Sequence, residues 1–190
     1  FVGLRNGLGT LIEAAARRVG EDNIYRDTAA ISVERGNDGG FTVEASAGQR
    51  FEADAVILAT PARPTADLLE PHAPEAARLL RKIPYVSSAT VSMGFRERDV
   101  RERAGGRGFV VPKVEGFDLT AVTWSSRKFA GRAPEGEALL RGFVGRAGNE
   151  EPAFLPDDRV IEIVRRDLAT ITGLVAEPLS KEWGVPVVVD

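Results

Sequence analysis

The chain has 190 residues, enough for one large domain or two small ones, and 43% of them are hydrophobic, so a substantial core can be buried. With 25 basic against 28 acidic residues and a net charge of -3, it lacks the positive excess of a nucleic-acid binder and has no general attraction to an anionic membrane. Cysteine is absent and His72 is the single histidine, which excludes disulfides, thiol catalysis, thiolate metal sites and histidine-cluster metal centres. No apolar run reaches the roughly 18 residues of a membrane-spanning helix. The opening Phe1-Val2-Gly3-Leu4-Arg5 reads as neither a signal peptide nor a natural start, so an interior piece of a longer protein is expected.

In chain order, Leu8, Leu11, Ile12, Ala15, Ala16 and Val19 form one apolar stripe at helical spacing. Thr10 and Glu13 have capping-box spacing and Gly20 suits the helix end. Strands are expected over Ala30 to Val33 and Phe41 to Ala45, flanking the turn sequence Gly36-Asn37-Asp38-Gly39-Gly40. A second turn at Ala47-Gly48 leads to a short strand through Phe51, which completes a small meander. Ala55-Val56-Ile57-Leu58-Ala59 is apolar throughout and predicts a strand buried on both faces.

Ala62 to Pro84 predicts helix interrupted by Pro64, Pro71 and Pro74, with a helix start at Pro74-Glu75. From Tyr85 to Phe95, Ala89, Val91, Met93 and Phe95 alternate with polar or small residues, the pattern of a half-buried strand. Further strands are expected at Gly108 to Val111, Leu119 to Trp124 and Leu139 to Val144. Asp157 or Asp158 can cap a helix carrying Val160, Val164, Leu168 and Ile171 on one face, with Gly173 as its stop. An extended segment near Leu179 to Val189 follows. Strand runs with segregated helices predict an α+β fold.

Five features invite a functional reading, each beside an ordinary one. Gly7-Leu8-Gly9-Thr10 lacks a preceding strand, and Ile12 stands where a dinucleotide fingerprint needs its third glycine, so a helix-entry turn is preferred. Gly142, Gly145 and Gly148, with Arg141 and Arg146, offer either a flat strand face approachable by a planar ligand with carboxylates, or a glycine-rich turn. Gly105-Gly106-Arg107-Gly108 leads into an apolar strand and reads from the residues as a flexible turn before an ordinary strand. Trp124 and Trp183 read as core or rim residues. His72, between prolines, reads as a surface residue with no catalytic partner. From the residues alone, the chain is an α+β piece with glycine-lined strands and an unspecified ligand.

Several segments together are similar to the oxygen-dependent porphyrinogen oxidases of the flavin amine oxidase superfamily. Gly7-Leu8-Gly9-Thr10-Leu11-Ile12-Glu13-Ala14 looks like that family's helix entry, and Ala53 to Ala62 looks like the strand that rejoins its FAD domain. The blocks Gly106 to Pro112, Thr123 to Phe129, Pro134-Glu135-Gly136 and Leu139 to Gly148 occur in the order of the bacterial members, with the coproporphyrinogen III oxidase type resembled most.

The resemblance implies a partial FAD-domain segment over 1–62, a helical connection over 63–84 and a substrate-binding domain with a mixed sheet and a long helix over 85–190. It implies oxidation of coproporphyrinogen III or protoporphyrinogen IX to the porphyrin, with FAD as cofactor and dioxygen as acceptor, in haem biosynthesis and in the cytoplasm. Ala30 falls where the superfamily meets the adenine end of FAD, and Trp183 falls in the tail that leads to the flavin. Gly108, Val110 and Phe143 fall on the porphyrinogen pocket, and Arg107 stands where animal-type members have an aromatic. An arginine rim at Arg107, Arg141 or Arg146 would favour the more carboxylated substrate. The implied chemistry belongs to the flavin, so binding residues are expected and catalytic or metal-ligating ones are not. The tail after Trp183 departs from the family pattern, and a chain without the phosphate loop is expected to be inactive alone, free of FAD and prone to self-association. Another flavin amine oxidase, a carotenoid desaturase relative, and a non-enzymatic module for a flat ligand or partner protein remain as alternatives.

Overall fold

A computed structural model describes residues 3–37, 39–100 and 106–187, with the backbone alone described over 180–187. The chain divides into two compact units, one of Phe1–Thr10 with Val86–Val189 and one of Leu11–Tyr85.

The smaller unit holds most of helix α1 (Gly9–Val19), followed by β1 (Ala30–Arg35), β2 (Phe41–Ala45) and β3 (Arg50–Ala53). The three strands form the expected antiparallel meander in the order β1-β2-β3. Gly36 and Gly40 close the first turn by a backbone hydrogen bond of 2.9 Å, and the second runs through Ser46–Gly48. Two short helices follow, α2 (Ala62–Leu69) and α3 (Pro74–Leu80). Pro64 lies in the first turn of α2 and Pro74 opens α3, positions where a missing N–H leaves no broken intrahelical bond. Arg81 ties the pair together by ion pairs to Asp67 and Glu70.

Three expectations for this unit change. Helix α1 starts at Gly9, two residues earlier than a Thr10 cap implies, so Thr10 lies inside it; the Thr10 hydroxyl donates to the Gly7 carbonyl (2.7 Å) instead of accepting from a helix N–H. None of the α1 side chains is buried, and Leu11, Ile12 and Val19 are exposed, because an apolar stripe is buried only where another element faces it. Residues 55–59 form no strand; Val56 and Leu58 are half-buried and Ile57 is 92% exposed. A strand buried on both faces needs a neighbour on each side, and the described residues supply none.

The larger unit contains the main core. Strand β4 (Ser88–Arg96) is followed by a single helical turn, α4 (Glu97–Val100). Next come β5 (Gly108–Val110), β6 (Leu119–Trp124), the short α5 (Ser125–Lys128) and β7 (Glu137–Val144). The unit closes with α6 (Asp157–Thr172) and β8 (Ser180–Val187). The sheet order is β5-β6-β7-β4-β8. Every pairing is antiparallel, where a mixed sheet is expected from the resemblance. The reason is topological: the β7-α6-β8 connection passes over β4, so β7 and β8 run parallel without pairing.

The alternation of β4 places Ala89, Val91, Met93 and Phe95 in the core, as the sequence predicts. Helix α6 lays Val160, Val164 and Leu168 on them, while Ile171 at the last turn is partly exposed. Asp157 and Asp158 sit in the first turn of α6, where the helix dipole favours acid, but Pro156 holds the cap position. The helix ends at Gly173. Trp124 is 1% exposed and packs on Phe109 with ring centroids 5.7 Å apart, which makes it a core residue.

Candidate functional site

Antiparallel register decides which side chains share a face, because residues directly opposite one another project the same way. Val110 pairs with Ala121, Ala121 with Phe143, and Phe143 with Thr90. The next row is Gly108, Thr123, Arg141 and Ser92. Helix α6 covers the opposite face, which carries Val122, Gly142 and Val91. Of the substrate-binding residues expected from the sequence, Gly108, Val110 and Phe143 therefore come together on the face that α6 leaves uncovered.

A shallow groove of about 280 Å³ opens over Gly108, Val110, Ala121 and Thr123, with Arg107 and Lys128 among its walls. It has two cationic walls and no carboxylate. Val110 is 79% exposed in it, a large apolar surface offered to solvent. Phe143 stands one strand further in, beside Ala121 and outside the groove itself. Gly108 is required by the backbone: its φ is +148°, and a Cβ there would lie 2.3 Å from the Val122 carbonyl oxygen. The Arg107 carbonyl accepts from the Trp124 N–H at 3.0 Å, which fixes the approach to β5 while the side chain stays exposed.

The glycine run at the end of β7 has another purpose than a flat ligand face. A Cβ on Gly142 would lie 2.5 Å from Val164 Cγ1, so its flat surface admits α6. Gly145 backs onto Ser87, whose carbonyl oxygen would lie 2.5 Å from an added Cβ. Arg146 is equally structural: its guanidinium donates to the carbonyls of Val111 (3.2 Å), Phe117 (3.3 Å) and Leu119 (3.2 Å). It is unavailable as the ligand-rim arginine considered from sequence. Arg141 is exposed on the open face and donates from Nε to Ser92 Oγ at 3.3 Å.

Ala30 is the exposed first residue of β1, on an edge of the meander. Trp183 stands opposite Val91 in the β4–β8 register, and its side chain lies outside the described residues, as does Gly105. His72 is exposed in the turn between α2 and α3. Sequence reasoning missed Thr90, Ser92, Ala121 and Thr123 as members of the open face. Alternation within β4 and β6 carried the signal, but assigning the residues to one surface needs the register across four strands.

Among the described residues, no cluster of three or more His, Asp or Glu could hold a metal ion, and no helix is long and apolar enough to cross a membrane. The five-stranded antiparallel sheet with α6 on one face, and the three-stranded meander, match part of a longer solved chain. The chain belongs to the family of flavin containing amine oxidoreductases, whose family model matches residues 1–188. It is 33% identical over 178 residues to a coproporphyrinogen III oxidase of Bacillus subtilis, covering 94% of this chain and 37% of that protein. It is 35% identical over 181 residues to one of Propionibacterium freudenreichii, covering 94% and 33%. A crystal structure of a provisionally named protoporphyrinogen oxidase from Exiguobacterium sp. 255-15 superposes with a TM-score of 0.80 at 30% identity, covering 96% of this chain and 39% of that one. The chain thus spans 33 to 39% of the length of these relatives.

The family's flavin needs a phosphate cradle, which the described residues do not form. Gly7 stands in a turn, α1 begins at Gly9, and Ile12 occupies the third glycine position. No step through the flavin follows from this chain's own residues.

Proposed function

We propose that this chain supplies one wall of the tetrapyrrole site of an FAD-dependent porphyrinogen oxidase that converts a porphyrinogen to the porphyrin with dioxygen as acceptor. The convergence of Gly108, Val110 and Phe143 on the uncovered sheet face carries this reading. A flat, largely apolar macrocycle suits a surface of backbone, small side chains and two large apolar groups. Arg107, at the groove wall, is read as a contact to the ligand's edge.

Residues 85–190 are read as the substrate-binding domain, 63–84 as a helical connection and 1–62 as part of the FAD domain, with Ala30 at the adenine end and Trp183 toward the flavin. The compact grouping of Val86–Val189 supports the first boundary. The coproporphyrinogen III oxidases among the relatives, 31–37% identical, support that substrate over protoporphyrinogen IX, which is named for curated relatives at 25–27% and for the solved relative at 30%. With the phosphate cradle missing from the described residues, the chain alone is read as a binder without turnover.

Titration of the purified chain with coproporphyrin III tests the reading. A saturable shift of the porphyrin absorption band is expected, weakened by Phe143→Ala; the absence of saturable binding overturns it. Porphyrin formation from coproporphyrinogen III, FAD and air above the uncatalysed rate would overturn the proposed inactivity.

A further inference from the structure

We propose that Arg141 is a specificity-determining residue of this site, its guanidinium pairing with a peripheral carboxylate of the tetrapyrrole, and that Ser92 is the positioning residue that aims it. The inference rests on the reading of the open sheet face as a tetrapyrrole wall.

Arg141 and Arg146 lie five positions apart and meet opposite fates. Arg146 is half-buried and occupied by three backbone carbonyls. Arg141 is exposed, holds no backbone carbonyl, and forms no ion pair with a carboxylate among the described residues. Its recorded partner is the Ser92 hydroxyl, reached through Nε, so the outer Nη edge of the guanidinium remains available. That edge is the one that takes a carboxylate by two parallel hydrogen bonds, and its charge persists at every physiological pH.

The surroundings define the ligand class. Arg141 lies between Thr123 and Ser92 in one row, which the β4–β8 register continues to Glu182, and beside it runs the row of Ala121, Phe143 and Thr90. A fixed positive charge at the side of an apolar, small-residue plate matches a flat apolar body with an anionic edge. A tetrapyrrole with four carboxylates presents one toward Arg141 in every in-plane orientation, whereas one with two does so in some orientations. Arg141 therefore favours the more carboxylated ligand, and Ser92 lowers the cost of binding by holding the arginine in place beforehand.

The test is titration of the 190-residue chain with coproporphyrin III, which has four carboxylates, and deuteroporphyrin IX, which has two. Arg141→Gln is expected to weaken coproporphyrin binding by roughly tenfold or more, the scale of a lost charged hydrogen bond, and deuteroporphyrin binding by less. Arg141→Lys should recover part of the preference, and Ser92→Ala should reduce it without lowering the melting temperature. Equal losses for both porphyrins, or no change in Arg141→Gln, would overturn the role of Arg141. If Arg141→Gln does not fold, Arg141→Lys and Ser92→Ala decide, and an unchanged preference in both overturns the proposal. Failure of the unaltered chain to bind either porphyrin would instead sink the tetrapyrrole reading, and this inference with it.

Discussion

Val164 of α6 fills the space that a side chain on Gly142 of β7 would occupy: an added Cβ would lie 2.5 Å from Val164 Cγ1. The helix reaches the sheet because that one position is flat, and Val164 belongs to the buried cluster. Gly142→Ala should destabilise the chain by about 1–3 kcal/mol through overpacking. Gly142→Ala combined with Val164→Ala should be less destabilised than the sum of the two single changes. Urea unfolding of the four variants in a double-mutant cycle measures the coupling.

Asp167 is a buried carboxylate that supports the start of β6. Its Oδ2 accepts from the backbone N–H groups of Asp118 (3.1 Å) and Leu119 (3.0 Å), and Arg166 meets its Oδ1 at 2.9 Å. Asp167→Ala strands both N–H groups and should cost about 1–3 kcal/mol. Asp167→Asn retains an acceptor oxygen and should cost less. Thermal melting of the two variants side by side checks the order.

Arg146 should behave as a structural residue. Arg146→Met leaves the carbonyls of Val111, Phe117 and Leu119 without their donor and should lower stability by about 1–3 kcal/mol. Its preference between coproporphyrin III and deuteroporphyrin IX should match that of the unaltered chain. A changed preference, measured under conditions where the variant is folded, would return Arg146 to the ligand surface.

Gly108→Ala should damage fold and face together. The residue holds φ +148° against the Val122 carbonyl, so a side chain there must displace β5 from β6. The expected result is faster amide exchange at Val111 and Trp124, whose N–H groups bridge β5 and β6, and weaker coproporphyrin III binding.

Acid should loosen the α2–α3 pair. Hydrogen bonding to Arg81, reinforced by its charge, holds the Glu70 carboxyl below its ordinary value, and Arg78 does the same for Glu75. A depressed folded-state value means the stabilisation is present above the unfolded value and lost as pH falls through the folded one. Melting temperature should therefore drop below about pH 4. The drop should shrink in Glu70→Gln, and high salt should weaken the same contribution at neutral pH.

The sequence by itself determined the local elements wherever a pattern and its punctuation agreed. The glycine turn at 36–40 set the meander, the alternation from Ala89 to Phe95 set the buried face of β4, and the spacing of Val160, Val164 and Leu168 set that of α6. It also carried the family resemblance and three residues of the open face: Gly108, Val110 and Phe143. Only the tertiary structure decided which patterns found partners. The stripe of α1 and the apolar run 55–59 are as hydrophobic as the core elements, yet neither is buried, and only Val56, Leu58 and Ala16 reach partial burial. Register separated Arg141 from Arg146 and turned Gly142 toward a helix instead of a ligand. A strand's sequence encodes which residues alternate, while its neighbours decide what each face meets.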